Sequence, residues 1–122
     1  MLTPAVLTLA VLARAGPATA DVIPRDGVER LCGIYMIATP VMCSCAAGGL
    51  AAEIGQDEYA LLQRIGWDAG MAVRHNGVPR ERAWDQALAA EQARNDLPDD
   101  MVRRQAEALR RGLTAHVGFC RP

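Results

Sequence analysis

Lysine is absent from the 122-residue chain, and serine occurs once, at Ser44. Without lysine there is no Schiff-base chemistry. A serine-nucleophile enzyme would have to use Ser44, wedged between Cys43 and Cys45. Histidine is nearly as scarce, with only His75 and His116. No His-Glu-x-x-His run, glycine-rich phosphate loop or paired catalytic motif occurs. Asp96, Asp99 and Asp100 look superficially like a calcium loop but lack its central glycine. Helix capping accounts for them better. No catalytic residue and no resident cofactor are therefore expected.

Strand signals are also missing. No stretch sustains apolar/polar alternation, and aromatic and β-branched residues are sparse. Alanine, arginine, leucine, glutamate and glutamine dominate, all good helix formers. The basic residues are all arginine. A GC-rich coding sequence produces that bias, which points to a bacterial source.

What the chain does have is an apolar N-terminus. Leu2 to Ala13 is apolar but for Thr3, Pro4 and Thr8, and Ala18-Thr19-Ala20 gives a small-x-small cleavage signature. Residues 1–20 read as a signal peptide, although no basic residue precedes the apolar stretch. Cleavage before Asp21 removes Arg14 and no acid. It leaves residues 21–122 as one domain, with twelve arginines against fourteen acids and a net charge of −2. Nucleic acid is an unsuitable partner for such a chain. The expected location is periplasmic or secreted.

The mature part predicts an all-α bundle of four to five short helices. Asp26 with Glu29 marks the first helix start. Thr39-Pro40 ends that helix and opens a second, running to about Ile54 and weakened at Gly48-Gly49. Gly55 separates a third, with Asp57 and Glu58 in its first turn, that runs to about Arg74. His75-Asn76-Gly77 and Asn95 to Asp100 are turns bounding a fourth helix. The last helix carries Val102, Ala106, Leu109, Leu113, Val117 and Cys120 on one face.

No charge occurs between Leu31 and Ala52. As one helix these residues would be roughly 33 Å long, enough to span a bilayer. Pro40, the glycines and the small residues argue instead for a buried helical hairpin bent at Thr39-Pro40, forming the bundle's apolar centre.

The four cysteines, Cys32, Cys43, Cys45 and Cys120, are expected to form two disulfides in an oxidising compartment. On a helix, Cys43 and Cys45 diverge by about 200° and cannot easily bond each other. One should pair with Cys32 and the other with Cys120. Counting residues away from the bend favours Cys32–Cys45, hence Cys43–Cys120.

One alternative is a soft-metal site for copper or zinc, built from Met36, Met42, Cys43, Cys45 and His116 near Cys120. Another is thiol–disulfide exchange at Cys43-Ser44-Cys45. The favoured reading is a disulfide-stapled, non-catalytic binding or assembly module with a protein partner. Its contact surface is an apolar groove or the Arg103, Arg104, Arg110 and Arg111 side of the last helix, with Tyr59, Trp67 and Trp84 as anchors if exposed. The intact mass of the exported protein is expected to match a chain beginning at Asp21, lighter by two hydrogens per bridge. A full-length mass, or four alkylatable thiols without reduction, contradicts this.

Overall fold

A computed structural model describes residues 26–122. The signal-peptide expectation for residues 1–20 lies outside them. Among the described residues the chain forms five helices and no strand: α1 (Gly27–Tyr35), α2 (Pro40–Glu53), α3 (Gln56–Asn76), α4 (Arg80–Asn95) and α5 (Asp99–Phe119).

The helix ends follow from local chemistry. The Asp26 carboxylate accepts the Glu29 N–H at 2.9 Å and caps α1. Its second oxygen accepts the Tyr59 hydroxyl at 2.6 Å, so one side chain both caps α1 and ties it to α3. Thr39 caps α2 by accepting the Met42 N–H at 3.2 Å, with Pro40 in the first turn. Gly55 gives α3 no side-chain cap, and Asp57 and Glu58 in the first turn compensate through the helix dipole. The third helix extends to Asn76, past the expected Arg74, because Gly77 adopts φ 65° and closes it in the left-handed region. Asp96 ends α4 at φ 51°, and Asp99 and Asp100 lie in the first turn of α5.

The packing order is set by which helices can approach closely. The main partner of α1 is α3, and that of α2 is α5; α4 joins α3 to α5. Gly27 and Gly66 face each other across the α1–α3 contact, where a Cβ on Gly66 would overlap the Gly27 carbonyl. A second close approach lies between α2 and α5: the missing side chain of Gly49 is replaced by the His116 imidazole. Gly48 has open space where a Cβ would stand, whereas Gly49 lets α5 dock on α2.

One core runs through the bundle. It holds Val28 and Leu31 of α1, Leu62 and Ile65 of α3, and Trp84 and Leu88 of α4. From α5 it takes Val102, Ala106, Leu109, Leu113 and Val117, the stripe expected from the sequence. Trp84 is buried and so is no surface anchor. Its indole meets Tyr35 edge-on at 5.9 Å.

The charge-free residues 31–52 divide into two helices, and among the described residues no helix is long and apolar enough to cross a membrane. The hairpin is not wholly buried. Met42, Cys43, Ala46, Ala47 and Leu50 of α2 face the core, whereas Val41, Cys45, Gly48, Ala51 and Ala52 are exposed.

Cys32 bonds Cys43, and Cys45 bonds Cys120, with Cα separations of 5.6 and 6.0 Å. The expected pairing of Cys32 with Cys45 and Cys43 with Cys120 is thus reversed. Distance from the bend was the wrong criterion; the direction around the α2 axis decides. Cys43 points inward with Met42, Ala46 and Ala47, where Cys32 of α1 lies, and Cys45 points outward to the end of α5.

Gly66→Ala is expected to cost about 1–3 kcal/mol, because two helix backbones must separate. Gly48→Ala, with open space at its Cβ, is expected to gain about 0.5–1 kcal/mol. Urea unfolding of both variants checks this. Equal effects of the two would contradict the assigned packing.

Candidate functional site

The outward side of α2 is the candidate site. Positions 41, 45, 48 and 52 repeat at helical spacing and so share one face. Val41 is 79% exposed, and Ile37, just before the helix, is 90% exposed. Cys45, Gly48 and Ala52 continue the exposed stripe. No ionisable side chain lies on α2 before Glu53.

The Cys45–Cys120 disulfide joins this face to the end of α5. Next to it stands Phe119, 80% exposed. Its ring meets His116 edge-on at 5.7 Å, and His116 in turn lies over Gly49 and pairs with Glu53. The face is thus apolar at one end, closed by a surface disulfide at the middle, and bounded by the His116–Glu53 pair at the other.

The two disulfides sit in opposite environments. Cys32 is 0% and Cys43 3% exposed, within the core. Cys45 is exposed and Cys120 half-buried. With both bridges closed, no cysteine is free among the described residues. Met42 is buried, Met36 packs on the core, and His116 is engaged by Glu53. Cys43 and Cys45, expected as co-ligands, belong to different bridges. Among the described residues no group of three or more His, Cys, Asp and Glu side chains is placed to hold a metal.

A shallow cleft of about 420 Å³ lies beside the site, lined by Ala51, Gln56, Tyr59, Ala60 and Gln63. Tyr59 is its one ionisable lining group, and that hydroxyl is donated to Asp26.

Two of the four arginines expected as a contact surface, Arg103 and Arg110, link helices to one another. Arg103 binds Asp85 at 3.1 Å, a hydrogen bond that holds its guanidinium above the ordinary arginine pKa. Arg110 lies over Tyr35 and Trp84 at 4.5 and 4.8 Å and reaches Glu81 at 3.5 Å. Both tie α5 to α4. Arg104 pairs with Asp100 of its own helix, and Arg111 is exposed. Among the proposed anchors, Trp67 is partly exposed beneath Arg30, whose guanidinium lies 4.3 Å above the ring. Burial raises the Tyr35 pKa above the usual tyrosine value, against the opposing charge of Arg110, and its hydroxyl donates to the Arg80 carbonyl.

One buried charge invites a catalytic reading. Glu91 is fully buried on α4. It accepts from Arg64 at 2.8 and 3.3 Å, from Asn95 at 3.0 Å and from Arg94. The hydrogen bond to Glu91 also raises the Arg64 pKa. Every direction around the carboxylate is taken by a donor, so the group joins α3 to α4 and offers no open oxygen to a substrate.

No known protein family, curated protein or solved structure matches the chain. Glu91→Ala is expected to cost about 2–3 kcal/mol, at the lower end for a broken buried pair because Arg64 and Arg94 regain solvent. A urea midpoint unchanged from the parent would contradict the structural role.

Proposed function

We infer that the protein is an exported, non-catalytic binding module that engages a protein partner through the uncharged face of α2. The observation carrying this reading is the exposure of Ile37, Val41 and Phe119 around the Cys45–Cys120 bridge. Isolated exposed apolar residues are ordinary. Here they flank a helix face without a charge along its length, the pattern of an interaction site. Gly48, Ala51 and Ala52 keep the face low, so a partner backbone can approach closely.

Charge is concentrated elsewhere, in pairs that link α3, α4 and α5. That distribution supports the α2 face over the arginine side as the contact surface; Arg104 and Arg111 are peripheral to it. The periplasmic or secreted location rests on the apolar N-terminal segment and on two bridges of the kind that persist in oxidising compartments.

The test places a photo-crosslinking side chain at Val41, at Ala52 and, as a control, at exposed Gln105 on α5. The expected result in producing cells is one discrete adduct from Val41 and Ala52 and none from Gln105. Val41→Asp should reduce the adduct from Ala52 by about tenfold or more while leaving the helical signal intact, as loss of a central apolar contact does. An adduct of equal yield at Gln105, or one indifferent to Val41→Asp, would overturn the reading.

A further inference from the structure

We propose that Cys45–Cys120 is an exchangeable disulfide, opened at Cys45 by a dithiol protein, while Cys32–Cys43 stays closed as a permanent staple. Access is the basis. A thiolate must reach one sulfur of the bridge in line with the bond it breaks. Cys32 and Cys43 lie within the buried core cluster, so a nucleophile reaches them only when the fold opens. Cys45 stands on the exposed side of α2, one turn from Val41 and Gly48, with no charged side chain on that helix face to repel a thiolate. Cys120 is the less exposed partner, at the end of α5.

The chemistry balances with a dithiol as reductant. Its thiolate attacks Cys45 Sγ, forming a mixed disulfide and breaking the Cys45–Cys120 bond. Cys120 leaves with the electron pair and takes a proton from solvent. The second thiol of the reductant, as thiolate, then attacks the reductant's own sulfur in the mixed disulfide and expels Cys45 as thiolate. The reductant ends as a disulfide and the chain gains two electrons, as two thiols. Cys43 and Cys45 serve separate bridges, so the exchange does not use the Cys43-Ser44-Cys45 segment as a redox pair.

Opening this bridge removes the covalent link between the C-terminal end of α5 and α2. Val117 in the core and the His116–Glu53 pair remain to hold that end, while Phe119, Arg121 and Pro122 are already exposed. The Cys32–Cys43 bridge still fastens α2 to α1, and the buried residues of α1, α3, α4 and α5 are not part of the opened bridge. Exchange is a property of the bridge itself and does not depend on the docking role of the α2 face.

The experiment treats the purified oxidised protein with limiting dithiothreitol under native conditions, quenches by alkylation and maps the labels by mass spectrometry. Cys45 and Cys120 are expected to be labelled roughly tenfold or more faster than Cys32 and Cys43, with the helical signal retained, since the latter pair requires opening of the core. Labelling of all four in step, or of none before unfolding, overturns the proposal. A second arm uses excess glutathione and an acid quench to trap the mixed disulfide. The adduct is expected on Cys45; a majority on Cys120 overturns the assignment of the attacked sulfur.

Discussion

The second helix is made of residues too small to hold it, and two covalent bonds do what packing elsewhere does. Of its fourteen residues, those facing the core are Met42, Cys43, Ala46, Ala47 and Leu50. Burial of a Met or Leu side chain is worth about 1.5–3 kcal/mol, and alanine contributes far less. Fixing each residue of a helix costs about 1–2 kcal/mol of backbone entropy. An Ala- and Gly-rich helix with one narrow buried strip is therefore a weak member of any bundle. Cys43 fastens it to α1 from inside and Cys45 fastens it to α5 from outside. In the chain-entropy account, loops of 11 and 75 residues are worth about 3 and about 4.5 kcal/mol respectively. The cysteine spacing of two makes this possible, because only residues on opposite sides of one helix can reach two different neighbours.

The stapling also frees the outer surface of α2. A helix held only by side-chain burial needs a wide apolar stripe turned inward and leaves polar residues outside. Here the covalent links relax that demand, and the outward residues need not be charged to define which side is in. The other helices obey the usual rule. On α5, the inward row Val102 to Val117 is backed by Arg104, Gln105 and Arg111 on the exposed side. On α3 and α4, Glu91, Arg64 and Arg94 form a charge cluster that is satisfied from every side. The surface is consequently divided: charged over α3, α4 and α5, uncharged over α2.

Helix boundaries were legible because each rests on local chemistry. Asp26, Thr39-Pro40 and Gly77 act on atoms within five residues, and a sequence displays such neighbours directly. The α5 stripe was legible for the same reason, since its period is a property of one helix. What the sequence concealed depends on direction around an axis or on another element. The cysteine partners required knowing that Cys43 faces inward and Cys45 outward. The two tryptophans have similar apolar neighbours in sequence, yet Trp84 enters the core against Tyr35 and Trp67 remains partly exposed under Arg30. The candidate site was hidden by its own composition: a charge-free run reads as interior, and half of α2 is not. The one local sign was the abundance of Ala and Gly, which are too small to fill a core on both sides of a helix. Gly49 was readable only as a helix weakener until its neighbour His116 was known.

The absence of charge on the proposed contact face carries a kinetic consequence. Clusters of one sign steer a partner over a Debye length and raise association rates well above the unsteered range of about 10⁵–10⁶ M⁻¹s⁻¹. The face of α2 has no such field of its own, and the nearest pair, Glu53 with His116, lies at its edge. Recognition there would rest on shape and apolar contact after encounter, and so on the dissociation rate more than on attraction from afar. Such a face is sensitive to its own flatness. The Cys45–Cys120 bond fixes the position of the α5 end, and with it the exposed Phe119 ring, relative to Val41 and Ile37. The bridge at the surface therefore does more than restrain the unfolded chain: it holds the Phe119 ring and the Ile37–Val41 end of the face in one geometry, which the buried Cys32–Cys43 bond cannot do from the other side of the helix.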